Sequence, residues 1–330
     1  MPTDFYQLVE NAFFSAKGIS RPRGPNSWAV RAREALTELQ PFVTGLRDAY
    51  EDARKGRSIV AIDYSGQNAL AYLLAYVPKY IHQSMIVLER AGLNTAGRDE
   101  KRVGLFCCGP CPEAVALLEM FRGPGGEKQP DRFRLDLFDS GHEGWKAARN
   151  ALLDMAFFGR PCDLESRETG WESALSKPPG IHDFDIMEGL SPAHKQVVAQ
   201  LDVAMVQNVD SELGTTPGAA DQTIEEIAEH LPPGSKLILS DLTGAIARHK
   251  RLLVPLSRYG QVGVPGKQLS SVPLGSGRWA WRNYEPIQAP APTTDLLARR
   301  FLSDGPGDYM PARRVYLNYL VLERASAPSS

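Results

Sequence analysis

Val103–Phe121, VGLFCCGPCPEAVALLEMF, is the stretch whose reading decides the fold. Val103 to Phe106 is a short, nearly unbroken apolar run, as expected of a strand covered on both faces. Cys107 to Pro112 form a turn built on glycine and proline. Beyond it Leu117, Leu118 and Phe121 recur at helical spacing, and Glu113 falls in the first helical turn, where a carboxylate suits the positive end of the dipole. Strand, glycine-containing turn and helix in this order point unpaired N–H groups at a small ligand and let it approach the backbone closely.

The same alternation continues downstream. Strands are expected at Phe133–Phe138, ending at Asp139; near Ile181–Phe184, ending at Asp185; at Leu201–Val206, ending in Gln207, Asn208 and Val209; and at Lys236–Leu239, ending at Asp241. Helices are expected at Trp145–Phe158 and Asp221–His230. Such a sequence folds as a doubly wound, mostly parallel α/β sheet with right-handed crossovers. Arg313–Arg324 reads as a long closing strand, antiparallel at or next to the sheet edge. The Pro- and Gly-rich stretches Val262–Gly277 and Glu285–Pro292 read as ordered loops.

Upstream, residues 1–100 read as an N-terminal helical domain capping a core domain of residues 101–330. Helices are expected at Phe5–Phe14, Ala29–Arg57 and Asn68–Ala91, the last kinked or split at Pro78. Tyr72, Tyr76 and Tyr80 share one face of it; the stripe reads as packing against the core, with a stacking surface for a ligand as the other use.

Bulk properties narrow the class. The 330 residues suffice for one large domain or two ordinary ones, and 43% apolar with 23% charged residues is the composition of a soluble globular chain. A net charge of −2 exerts no global pull on nucleic acid or anionic lipid. The longest apolar run, Ala69–Val77, is about half of a membrane span. The N-terminus lacks the basic, then apolar pattern of a secretory leader, and three cysteines crowd into Cys107–Cys111, so no secreted disulfide framework is expected. The expectation is a cytoplasmic protein without a membrane partner.

With the elements placed, residues 101–324 resemble a class I S-adenosylmethionine-dependent methyltransferase. The likeness rests on CCGPCPE (Cys107–Glu113), FDSGHEGW (Phe138–Trp145), the Asp in HDFDIMEG (His182–Gly189), LDVAMVQNVDSEL (Leu201–Leu213) and PPGSKLILSDL (Pro232–Leu242). It implies a Rossmann-like methyltransferase fold, S-adenosyl-L-methionine as cofactor and EC 2.1.1 chemistry on RNA or a small molecule. It also implies site residues: Gly109 at the methionine end with backbone contacts from Cys107, Cys108, Pro110 and Cys111, Asp139 on the ribose, and Asp185 at the adenine. Asn208 and Asp210 would face the methyl group and acceptor. If the acceptor needs deprotonation, Asp210, Glu212 and His249 are the candidates. Asp139 and Asp185 could instead be turn-forming aspartates at strand ends. The chain departs from the family pattern with Leu105 in place of an acid and with Cys107 and Cys111 in place of two glycines, where a Cβ resists positive φ. A non-catalytic methyltransferase-like binding or assembly protein is the alternative. Within the superfamily, ALAYLLAYVPKYIHQSM (Ala69–Met85) and VQNVDSEL (Val206–Leu213) are similar to the ribosomal small-subunit methyltransferase-like group.

Cys108-Gly-Pro-Cys111 is also the CGPC of thioredoxins, where a helix N-terminus activates the first thiol. Against it stand Cys107 where that family carries tryptophan, the lack of an Ile-Pro-Thr-like segment at the right distance, and the chain length. Adjacent cysteines ligate one metal awkwardly and the six histidines show no ligand spacing, so no metal is expected. Leu242–Tyr284 has no acidic residue but carries Arg248, Lys250, Arg251, Arg258, Lys267, Arg278 and Arg282, with Trp279, Trp281 and Tyr284 at its end. Basic groups with aromatics suit RNA; a solvated face with buried aromatics is the plainer reading. No Ser lies in a GxSxG turn, so triad chemistry has no support.

Overall fold

The apolar runs singled out above become strands because helices cover them on both sides. The computed structural model describes residues 4–19, 25–54, 63–93, 100–121, 133–160, 178–209, 218, 220–241, 246–263, 285–288 and 314–325. Its strands are β1 (Lys101–Phe106), β2 (Phe133–Phe138), β3 (Gly180–His182), β4 (Val203–Gln207), β5 (Lys236–Asp241), β6 (Gly260–Gly263), β7 (Glu285–Gln288) and β8 (Arg314–Arg324). They follow the order β3-β2-β1-β4-β5-β8-β6, with β7 pairing to β8 off this path. β1 to β5 run parallel, and β8 is antiparallel to both β5 and β6. This is the expected Rossmann-like methyltransferase fold. The order reverses at β1, whose neighbours are β2 and β4, so the loops leaving β1 and β4 diverge and open a crevice at the carboxyl edge.

The helices are α1 (Phe5–Ala16), α2 (Pro25–Arg54), α3 (Gly66–Ala75), α4 (Val77–Arg90), α5 (Pro112–Met120), α6 (His142–Leu153), α7 (Pro192–Val198), α8 (Asp221–His230) and α9 (Ile246–Ser257). The helix expected over Asn68–Ala91 is indeed two, broken at Tyr76, with Pro78 in the first turn of α4 where its missing N–H leaves no bond unmade. α6 ends in a π turn, Asp154–Phe158. α4 packs on α5, and α1 and α3 pack on α6. Phe13, Leu36 and Tyr80 thereby share one buried core with Phe106, Leu117, Phe138 and Leu237.

Four elements were not anticipated: α7, α9, β6 and β7. α7 is short and is started by a reciprocal cap, in which Ser191 Oγ accepts from His194 N at 3.2 Å and His194 Nδ1 accepts from Ser191 N at 3.4 Å. The expected loop at 285 is a strand at Glu285–Gln288 instead, drawn into pairing by the unsatisfied edge of β8. Of the basic segment, Lys267, Arg278, Trp279, Trp281, Arg282 and Tyr284 lie outside the described residues, as does Cys162. Among the described residues no helix is long and apolar enough to cross a membrane.

A polar knot crosses the parallel strands away from the crevice. Asp136 of β2 accepts from Arg102 Nε of β1 at 2.6 Å and from Arg102 Nη2 at 3.2 Å, and pairs with His182 Nε2 of β3 at 2.9 Å. Burial pushes the Asp136 carboxyl up, but His182 and Arg102 outweigh it and hold the group below the usual carboxylate range. A depressed carboxylate stabilises the fold above its unfolded pKa and loses that contribution as pH falls through the folded one. Asp136→Ala leaves Arg102 uncompensated and is expected to cost about 3 kcal/mol at pH 7. Denaturant unfolding should show that deficit shrinking as pH falls below about 4, the ordinary carboxylate value.

Candidate functional site

The β1 turn holds three residues in the left-handed region: Cys107 at φ 54°, Gly109 at φ 49° and Cys111 at φ 63°. Two cysteines thus adopt the conformation that the motif reserves for glycine, at a strain of about 1–2 kcal/mol each. A bond to the neighbouring strand holds the first cysteine there, and a bond within the turn the second. Cys107 N donates to Phe138 O at 2.7 Å, and Cys111 N to Cys108 O at 2.7 Å.

Asp139, at the end of β2, clamps this turn. Its Oδ2 accepts from Gly109 N and its Oδ1 from Gly141 N, both at 2.8 Å. Each oxygen keeps a second lone pair for a ligand hydroxyl. Burial raises the carboxyl above its ordinary range, with the two N–H donors opposing. The turn aspartate and the ligand acceptor are therefore compatible uses of one side chain.

The turn opens on a cavity of about 690 Å³, within the range of small-molecule sites. Cys107, Cys108, Gly109, Pro110, Asp139, Asp185 and Asn208 all lie on its wall; Cys111 is fully buried behind the turn. Asp210 and Glu212 lie outside the described residues, as does the side chain of His249. Asp185 is exposed and accepts from Met187 N at 2.8 Å, a local turn bond, between the buried Phe184 and Ile186. Asn208 follows β4 at φ 59°; its N donates to Ser240 O at 2.8 Å and its Oδ1 accepts from Gln83 Nε2 at 3.1 Å. Beside it Gln207 Oε1 accepts from Ser84 and Ser240, while its Nε2 has no partner among the described residues.

The opposite wall comes from the N-terminal helices, a contribution the sequence reading set second to packing. Tyr50, Tyr64, Tyr72 and Tyr80 line the cavity. Tyr64 stacks on Trp145 of α6 with ring centroids 4.8 Å apart, Tyr72 meets the same indole edge-on at 5.1 Å, and the Tyr50 and Tyr64 hydroxyls lie 2.6 Å apart. A Cβ on Gly109 would sit 3.2 Å from the Trp145 ring, so the turn, the indole and the tyrosines form one packed unit. Glu113 also reaches the wall. The helical recurrence of Tyr72, Tyr76 and Tyr80 was the signal for this wall, but periodicity alone does not tell a packed ring from one that also borders a void.

The thiols lack the features of redox catalysis. Cys108 and Cys111 are buried with sulfurs 3.5 Å apart. The hydrogen bond between them and the burial of the site push the Cys108 thiol well up, away from the activated thiolate a thioredoxin-like centre needs.

No protein-family model matches the sequence, and no curated protein does. Solved structures do match. A protein from Listeria monocytogenes classed with the class I S-adenosylmethionine-dependent methyltransferases is 10% identical, over 99% of this chain and 88% of that one, with a TM-score of 0.41. The N-methyltransferase NodS from Bradyrhizobium japonicum is 12% identical over 76% and 97% of the two chains, TM-score 0.38. The glycopeptide N-methyltransferase MtfA, solved with S-adenosyl-L-methionine, is 14% identical over 48% and 54%, TM-score 0.30. The chain covers 54% of MtfA, and 41% and 52% of two further methyltransferase structures that it matches, about half the length of each. At such overlaps the fold assignment rests on the chain's own strand order.

Proposed function

We propose that this protein is a cytoplasmic S-adenosylmethionine-dependent methyltransferase acting on a small molecule, its residues 1–100 forming a helical cap over the site. One observation carries the reading: a cavity at the β1/β2/β4 switch point joins a left-handed turn at Gly109, a carboxylate at Asp139 and the apolar Phe184 and Ile186. The orphaned Gln207 Nε2 and Glu113 Oε2 on the same wall are what a polar ligand end would satisfy. When bound, the cofactor supplies a methyl group on a sulfonium, already an excellent leaving group. The chain's part is then binding, alignment and exclusion of water. Gly109 and the flanking cysteine backbone would meet the amino-acid end, Asp139 the ribose and Asp185 the adenine edge. Asn208 would face the acceptor, oriented by Gln83. Asp210 completes the proposed pair. The tyrosine wall excludes water from one side.

A small acceptor is preferred over RNA because the described cavity wall carries acids and no Lys, Arg or His to meet phosphates. The likeness to the ribosomal small-subunit group makes RNA the acceptor to test against. Equilibrium titration with S-adenosylmethionine and its demethylated product should give 1:1 binding in the micromolar range. No binding of either at 1 mM overturns the reading; binding without turnover over an acceptor panel, RNA included, moves it to a non-catalytic binding protein.

A further inference from the structure

Four carboxylates, Asp63, Glu113, Asp139 and Asp185, line the cavity, with no basic side chain among the described lining residues. Asp139 and Asp185 are engaged by backbone N–H groups. Glu113 differs. It is only 4% exposed, and its Oε2 has no hydrogen-bond partner among the described residues. A buried carboxyl left incomplete on a cavity wall is a group awaiting a partner. It sits in the first turn of α5, where the unpaired N–H groups favour an anion, so an arriving cation would find the ionised form supported from behind.

We infer that Glu113 is the cavity's receptor for a cationic group, the ammonium or sulfonium of an amino-acid-bearing nucleoside, and that it releases its proton to solvent as that ligand binds. The identity of the ligand rests on the methyl-transfer reading; the receptor role rests on the carboxyl itself. Burial, with the Asp139 charge adding to it, pushes the Glu113 carboxyl up to about 8, so the free protein carries it protonated at neutral pH. Pairing with a cation requires the ionised form. Affinity for the cation therefore rises with pH, about tenfold per unit between pH 6 and 7.5, and levels off above about pH 8.

Asp139 and Cys108 interact with it electrostatically, and Cys111 precedes it by two residues; the two elements packed on α5 carry Lys79, Tyr80, His82, Glu89 and Arg90 on α4 and Asp154 in the π turn. Lys79, lowered to about 8 by burial and seated over the Tyr76 and Tyr80 rings, titrates in the same window, so a variant at Glu113 must separate the two.

The test is calorimetric titration of the full chain in buffers of different ionisation enthalpy, with S-adenosylmethionine and with 5′-methylthioadenosine, which keeps the nucleoside but carries no charge. The wild-type protein should release about 0.9 proton per S-adenosylmethionine at pH 7 and none per methylthioadenosine. Glu113→Gln, which mimics the protonated carboxyl, should abolish the release, weaken S-adenosylmethionine 10–100-fold at pH 8 (order of magnitude for one buried charge pair) and leave methylthioadenosine unchanged. Equal proton release in the variant, or equal weakening of both probes, overturns the role of Glu113 while sparing the nucleoside site. Should only methylthioadenosine bind the wild type, the role falls likewise. Should neither bind, the methyl-transfer reading falls and takes this one with it. If the variant does not fold, the comparison of the two probes on the wild-type protein decides alone.

Discussion

Asp139→Ala is expected to abolish measurable nucleoside binding, a loss of more than about 100-fold, and to cost about 3 kcal/mol of folding stability. Both effects follow from the clamp. The Gly109 and Gly141 N–H groups each donate to one Asp139 oxygen at 2.8 Å, and Asp139 is largely buried, so alanine leaves two donors without acceptors. An unsatisfied buried donor costs about 1–3 kcal/mol. The turn it holds is already strained at Cys107 and Cys111, so the released backbone is expected to leave the left-handed region. Asn at the same position keeps one acceptor and sets an NH2 against the other N–H, and should fall between alanine and wild type in both measurements. Denaturant unfolding and calorimetric titration check the two parts separately. Wild-type affinity in a folded Asp139→Ala protein would mean that the clamp serves the fold alone.

Trp145→Ala should destabilise the protein by about 4 kcal/mol, the upper range for loss of a large buried side chain. The indole is 5% exposed, stacks on Tyr64, meets Tyr72 edge-on and covers Gly109. Its removal opens a void between the α6 face and the N-terminal helices, so the tyrosine wall should loosen even in molecules that stay folded. Binding is expected to weaken at least 10-fold, because the rings of Tyr64 and Tyr72 are then no longer held by stacking on, and edge contact with, the indole. Trp145→Phe, which keeps the stack with less area, should recover most of the stability. Tyrosine fluorescence and titration of the variants read the two effects; an intact binding constant in Trp145→Ala would show that the wall does not shape the site.

The route from sequence to site was uneven for reasons that particular residues make plain. Parallel strands buried on both faces read as apolar runs ended by polar residues, and parallelism brings those ends to one edge. That is why Gly109, Asp139, Asp185 and Asn208 converge as expected although they are far apart in the chain. The short elements α7, β6 and β7 carry too few residues for a period to show. Arg102, Asp136 and His182 meet only because β1, β2 and β3 are adjacent. Glu113 was legible as a first-turn acid, but the unpartnered state of its Oε2 was not, since that depends on what surrounds it.

What the sequence determined by itself is the layer order: hydrophobic runs, glycine and proline breaks and helical periods are local properties, and they suffice to specify a doubly wound sheet with its turn after β1. The tertiary structure alone decided that cysteines take up glycine's backbone angles, that Asp139 locks the turn, and that tyrosines from the first hundred residues wall the cavity. Local preference opposes or ignores each of these, and bonds and packing between distant segments, with the turn's own bond at Cys111, impose them.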